Sequence, residues 1–328
     1  MITKVLSLFD GISIAQQALK ELGYNPEYYS SEIDKYAISI TKKNFPDTVQ
    51  LGNVKEVCLD KYPQINKPDL MIGGFPCIDL SISKRNREGL KGKESSLFYE
   101  MLRIQKETNP KWWIYENVAS MRKDQKNIIT QTLGVEPVLL DAKLLSAQQR
   151  NRLFWTNIPN VNQPEDAHIY LKDILQSGEA VKEKAYCLIA HQKDFINDFI
   201  KRHQGNYVLK DKPIRIASIG KGVQGDRVYS IQGKSVCLSA HGGGRGAKTG
   251  LYLMPSSTDD LISLKYFFRK LTAIECERLQ SLQDNFTEKG INEKGEEIVI
   301  SNEQRYRCLG NGFNCAIIKH ILLKIKSN

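Results

Sequence analysis

Two rhythms of apolar residues alternate along the first 160 positions. Val5–Phe9 reads as a strand. Ile14, Ala15, Ala18, Leu19 and Leu22 then recur at helical spacing, stopped by Gly23. Glu27–Glu32 is a second strand candidate and Lys35–Phe45 a second helix. Thr48–Val54, Asp69–Gly73, Trp112–Glu116, Pro137–Leu140 and Leu153–Thr156 continue the series of strands. Such alternation predicts an α/β fold with a doubly wound, mostly parallel sheet, whose ligands sit at the carboxyl ends of the strands.

The pattern changes after about Pro164. Residues 175–265 scatter Gly, Lys and Arg among short β-like runs such as Arg227–Ile231 and Ser235–Leu238. HGGGRGAKTG (241–250) is too rich in glycine for regular structure. A helical pattern returns at Ala316–Ile325. The expected division is a catalytic domain of residues 1–170 plus 305–328, and a smaller, loop-rich domain of residues 171–304.

Composition narrows the function. The formal net charge of +10 favours a polyanionic partner, although a solvated basic surface would carry the same charge. No run of about 18 apolar residues occurs, so no membrane partner is expected, and the opening MITKVLSLFDG reads as a core strand of a cytoplasmic protein. The seven cysteines form no C-x-x-C pair and are odd in number. They predict neither a metal site nor a disulfide framework.

Four segments carry candidate chemistry. FDGIS (9–13) joins a strand to a helix, with Gly11 able to let backbone approach a ligand. Glu32 ends the next strand, about where nucleotide-binding units place a ribose-binding acid. The full G-x-G-x-x-G is missing, which argues for a nucleoside-type ligand over a dinucleotide. GGFPCIDLS (73–81) holds Cys77 in a glycine-bounded turn after a strand, where a thiolate would need positive charge nearby. WWIYENV (112–118) ends a strongly apolar strand on Glu116, a setting that favours a proton-donating carboxyl. SAQQRNRLFW (146–155) sets Arg150 and Arg152 one residue apart, so that on extended chain they share a face. Each has a plainer reading: an ordinary strand–turn–helix, an inert turn cysteine, a capping or salt-bridged glutamate, a solvated pair of charges.

Together and in this order, the segments resemble the cytosine-5 DNA methyltransferases from end to end. FDG matches their S-adenosylmethionine motif, SEID (31–34) the ribose acid, GNV (52–54) the adenine contact, GGFPC the nucleophile and ENV the catalytic glutamate. QQRNR (148–152) fits Q-x-R-x-R through Gln148, Arg150 and Arg152, RKLTAIECERLQ (269–280) the motif after target recognition, and LGNGFN (309–314) the last cofactor motif. FDGIS and PCIDLS resemble the branch that includes the animal de novo enzymes.

The resemblance implies a Rossmann-like S-adenosylmethionine-dependent fold with a target-recognition region at about 175–265. It implies catalysis by Cys77, Glu116, Arg150 and Arg152, and a cofactor pocket of Phe9, Gly11, Ile12, Glu32, Ile33, Asn53, Val54, Pro76 and Asn311. DNA contacts are expected from Arg85, Arg87, Arg227, Arg245 and Lys248, with Lys84, Lys91 and Lys93 in a loop that closes over the DNA. The partners expected are double-stranded DNA and a cognate restriction endonuclease, with the chain a monomer. Three positions depart from the usual motifs: Ser13 for a glycine, Asn53 for an aspartate, Gly312 for a serine. Rival readings are methylation of a transfer RNA, a non-catalytic DNA-binding relative and a nicotinamide-dependent oxidoreductase.

Overall fold

The computed structural model describes residues 1–77, 79–80, 88–92, 95–176, 213, 215–219, 224–229, 231, 234–238, 250–254, 267–269 and 272–326. Its centre is a seven-stranded sheet of β1 (Lys4–Leu8), β2 (Glu27–Ser31), β3 (Val49–Gln50), β4 (Leu70–Gly73), β5 (Trp112–Val118), β6 (Val138–Asp141) and β7 (Asn151–Thr156). The order is β3-β2-β1-β4-β5-β7-β6. β1 to β5 are parallel, and β7 enters antiparallel to both β5 and β6. The doubly wound, mostly parallel sheet expected from the alternation is therefore present.

Both faces are covered, which explains why the central strands are apolar along their length. Successive side chains go to opposite cores. Val5, Leu70, Ile72 and Ile114 face one core; Leu6, Leu8, Met71, Trp113 and Tyr115 face the other. The first core is filled by α1 (Ile14–Glu21), α2 (Lys35–Asn44) and α7 (Cys315–Lys326); the second takes Phe98, Met101 and Ile104 of α3 (Leu97–Thr108) and Ile129 of α4 (Lys123–Leu133). Asp34 caps α2, its carboxylate accepting from the N–H groups of Tyr36 and Ala37.

A four-stranded sheet of β8 (Arg215–Ser218), β9 (Arg227–Tyr229), β10 (Leu251–Met254) and β11 (Phe267–Arg269) has the order β11-β10-β9-β8. Beyond it, α5 (Ala273–Leu279) packs on α6 (Asn302–Asn311), and the hairpin β12–β13 (Lys289–Ile291, Glu297–Val299) lies against α2. Cys276, Leu279, Phe286 and Ile300 enter the same core as α1, α2 and α7.

Two expected strands are corrected. Thr48–Val54 is extended only at Val49–Gln50, then turns at Gly52 (φ +77°) into a 3-10 turn at Val54–Glu56. Ser235–Leu238 is not a strand: Ser235 alone makes a bridge, to Gln148. Among the described residues, no helix is long and apolar enough to cross a membrane.

Candidate active site

The reversed direction of β7 shapes the site. In a parallel sheet only strand ends reach the ligand edge, but here the start of β7 lies beside the end of β5. Arg152 pairs with Val118 and Phe154 with Glu116. Arg152 and Glu116 are thus diagonal neighbours on one face, within reach of long side chains. Arg152 Nε meets Glu116 Oε1 at 2.7 Å, with both side chains mostly buried. The plainer reading of Glu116 as a salt-bridged glutamate holds geometrically.

β4 ends at Gly73, and the chain runs through Gly74, Phe75 and Pro76 to Cys77. A Cβ at Gly74 would stand 3.0 Å from Glu116 Oε2 and 3.1 Å from Phe313, so glycine makes room for the carboxylate. The turn is held by Asn117 Nδ2 donating to Phe75 O at 3.0 Å, and by Ser95 Oγ donating to Pro76 O at 3.0 Å. Beyond it, buried Asp79 accepts from Ser95 N at 3.1 Å through its side chain and from Gly89 N at 3.1 Å through its carbonyl. Cys77 is half-buried. Burial and the nearby Glu116 carboxylate push its thiol above the ordinary value, and Arg152 and Arg150 oppose the shift without reversing it.

Arg150 and Arg152 share a face, as strand alternation predicts, and both reach Cys237 Sγ, at 3.3 and 3.7 Å. Their roles differ. Arg150 is buried and donates to Gly312 O at 2.8 Å and Gly310 O at 3.4 Å. Gln148 is also buried: its Nε2 donates to Leu279 O and Gln280 Oε1, and its Oε1 accepts from Leu238 N. Gln280 in turn donates to Leu309 O at 2.5 Å. These side chains tie segment 235–238, α5 and the turn at 309–314 into one buried polar knot.

The ends of β1 and β2 form a second locus. Phe9, Gly11 and Ser13 all have positive φ (+55°, +61° and +56°), a run that persists only where surroundings enforce it. Asp10 enforces it. This buried carboxylate accepts from the hydroxyls of Ser7, Ser13, Tyr28 and Ser30. Burial still raises its pKa over the effect of those donors. Serine at position 13 is explained here, since it bonds Asp10 and shares a 2.9 Å hydrogen bond with Thr41 Oγ1.

Glu32 accepts from the N–H groups of Gly11 at 2.8 Å, Ile33 at 2.7 Å and Asp34 at 2.8 Å. Its pKa is raised by burial against those three bonds. Ile33 is 74% exposed beside it, an apolar side chain presented to solvent at a strand end. Asn53 is exposed, and its Oδ1 accepts from Lys55 N at 3.1 Å. Nothing lies within 4 Å of a Cβ placed on Gly11. An open glycine, an anchored carboxylate and a bare apolar residue suit a nucleoside. Ile12 and Val54 are buried side chains of the core; Pro76 is half-buried and Asn311 exposed. Of the expected DNA contacts, Arg227 starts β9 and its buried Nε has no hydrogen-bond partner among the described residues. Arg85, Arg87, Arg245 and Lys248 lie outside the described residues, as do Lys84 and Lys93.

A family model for C-5 cytosine-specific DNA methylases matches residues 3–327. The chain belongs to that family. This methylase is 29% identical to the Type II methyltransferase M.HhaI of Haemophilus parahaemolyticus, over 99% of its own length and 94% of that protein's. It is 30% identical to the orphan methyltransferase M.SPRI of Bacillus phage SPR, over 54% of its own length and 43% of that protein's. Its fold matches the Entamoeba histolytica methyltransferase EhMeth (TM-score 0.63, 16% identity, 100% of this chain and 98% of that one). It also matches Spodoptera frugiperda DNMT2 (TM-score 0.61, 18% identity, 99% of each chain). The methylase is thus a DNA (cytosine-5-)-methyltransferase of an S-adenosylmethionine-dependent family.

Sequence reasoning missed Asp10, Asp79, Cys237 and Gln280. Asp10 had a signal, a carboxylate inside the FDG motif, but its partners come from separate elements. Cys237 had none.

Proposed function

We propose that this methylase transfers a methyl group to carbon 5 of a cytosine flipped out of a specific duplex DNA sequence, through a covalent Cys77 adduct. The observation that supports this most is the Glu116–Arg152 ion pair with Cys77 in its electrostatic reach. Carbon 5 of aromatic cytosine is a poor nucleophile. Addition of the Cys77 sulfur to carbon 6 removes the aromaticity and makes carbon 5 enamine-like. Glu116 would hold a proton at ring N3 and accept from the amino group, offsetting the charge that develops on addition. A guanidinium has five N–H groups. Arg152 commits one each to Glu116, Asn151 O and Cys237, which leaves two for the base O2 or the adjoining phosphate. Arg150, turned to Gly310 and Gly312, would position that assembly.

S-adenosylmethionine supplies an electrophilic methyl group on a positively charged sulfur. Glu32 would accept from a ribose hydroxyl on the lone pair left on Oε2, with Phe9, Ile33, Asn53 and Val54 around the adenine. Gly11, Ile12, Pro76 and Asn311 would shape the rest of the pocket. Loss of the carbon 5 proton and of Cys77 then restores the ring. No metal enters this scheme.

Flipping the base costs a few kcal/mol (about 2–4) in lost stacking and pairing. The basic residues Arg85, Arg87, Arg227, Arg245 and Lys248 would meet that cost through phosphate and base contacts. The likeness to a Type II methyltransferase supports a cognate restriction endonuclease as a partner; the chain would act on duplex DNA as a cytoplasmic monomer. Duplex DNA carrying 5-fluorocytosine tests the chemistry. A stable adduct with the wild type and none with Cys77→Ser is expected; no adduct with the wild type would sink the covalent reading. Labelled-methyl transfer to transfer RNA in preference to duplex DNA would reassign the substrate.

A further inference from the structure

Two sulfurs, not one, stand in the pocket of Arg150 and Arg152. Cys237 comes from segment 234–238, far along the chain from Cys77, and has no part in the chemistry described above. Its Sγ lies 3.3 Å from Arg150 Nη1 and 3.7 Å from Arg152 Nη2, with both guanidinium N–H groups directed at it. On its other side, the Leu238 carbonyl is 3.3 Å away and would accept from a neutral thiol. Two charged donors against one carbonyl acceptor favour the sulfur as an anion, because hydrogen bonds to an ionised partner are about twice as strong.

We propose that Cys237 is a positioning residue, a resting thiolate that holds Arg152 in place together with Glu116. Arg152 then meets two anionic groups: the β5 carboxylate at 2.7 Å from Nε, and the Cys237 sulfur at 3.7 Å from Nη2. The charged groups facing Cys237 are Arg150 and Arg152 of the β7 region, with Glu116 next to them and Cys77 in the turn after β4. Burial raises the Cys237 pKa, but the two guanidiniums outweigh burial and bring it below the ordinary thiol value. Cys77 goes the other way. The pocket thus holds one thiol that rests neutral, the nucleophile, and one kept ionised for geometry.

A consequence concerns the recognition region. Segment 235–238 is tied to the catalytic sheet through Gln148, which bonds Leu238 N at 3.1 Å, and through the Ser235 bridge. Cys237 carries that junction into the pocket, so a shift of this segment would move Arg152.

The inference rests on the proposed chemistry for its catalytic effect but not for the thiolate, and the test separates the two. Thiolate absorbance near 240 nm is followed from pH 5 to 9 in the wild type and in Cys237→Ser. The wild type should show one thiolate more than the variant at neutral pH. Single-turnover methylation should fall roughly tenfold in Cys237→Ser, as a misplaced catalytic group requires. S-adenosylhomocysteine affinity should stay within about twofold, which also reports folding. Cys237→Asp, which restores a negative charge, should recover more of the rate than Cys237→Ser. Equal absorbance in wild type and Cys237→Ser at neutral pH overturns the proposal. So does a Ser variant as fast as the wild type, or one faster than Asp. A wild type that forms no adduct yet keeps the extra thiolate would sink the methylation chemistry and leave Cys237 as assigned.

Discussion

Cys77 and Glu116 oppose each other electrostatically, and this sets the behaviour of the nucleophile. Burial and the carboxylate hold the proton on sulfur, so the thiolate is a small fraction at neutral pH and grows about tenfold per pH unit until the raised pKa is passed. Alkylation of Cys77, followed by peptide mass spectrometry, should therefore be slower than for free cysteine at pH 7.5 and keep climbing beyond pH 9; a plateau below pH 8 would contradict it. Glu116→Gln removes the carboxylate's influence. It should speed Cys77 alkylation at pH 8 while lowering methylation by roughly 10²-fold or more, since the developing charge loses its partner. A variant slower in both assays would mean that Glu116 only supports the fold. Cys77, Glu116 and Glu32 stand out in the sequence because each lies at or just past the end of a strand in a short local motif. Asp10 as a hydroxyl acceptor does not, because Tyr28 and Ser30 reach it from β2. Cys237 does not, because Arg150 lies 87 residues away.

Among elements, the clamp on the 309–314 turn separates stability from chemistry. Arg150→Ala strands the Gly310 carbonyl and leaves that of Gly312 only a 3.5 Å bond from Gln280 Nε2, at about 1–3 kcal/mol for a buried group left unpaired. Arg152→Ala loses a mostly buried ion pair but frees no carbonyl of that motif. Thermal unfolding should fall more for Arg150→Ala than for Arg152→Ala, while Arg152→Ala should lose more methylation per degree lost. Equal melting temperatures would remove Arg150 from its structural role. The strands of the main sheet were readable because burial on both faces makes them short apolar runs. Ser235–Leu238 misled because its alternation fits a strand, whereas the segment is held by side chains, Gln148 and Tyr252 among them. β8 to β11 have three or four residues each, too few to show a period.

For the molecule as a whole, the +10 charge predicts DNA binding dominated by phosphate neutralisation. The logarithm of DNA affinity should fall steeply and linearly with the logarithm of salt concentration, and a flat response would point away from duplex DNA. Fold class and family were legible from the order of motifs alone; the contacts of segment 272–300 with α2 and α6 were not, because no local pattern announces a partner so distant in sequence. β7 carries one last implication. A strand laid against the grain of its neighbours keeps its guanidiniums at the ligand edge only while its pairing with β5 stays in step. A one-residue slip would turn Arg152 to the far face, parting it from Glu116 and Cys237 at once. The activity of this enzyme therefore hangs on the phase of a single edge hairpin, and inserting one residue at Gln149 should silence methylation.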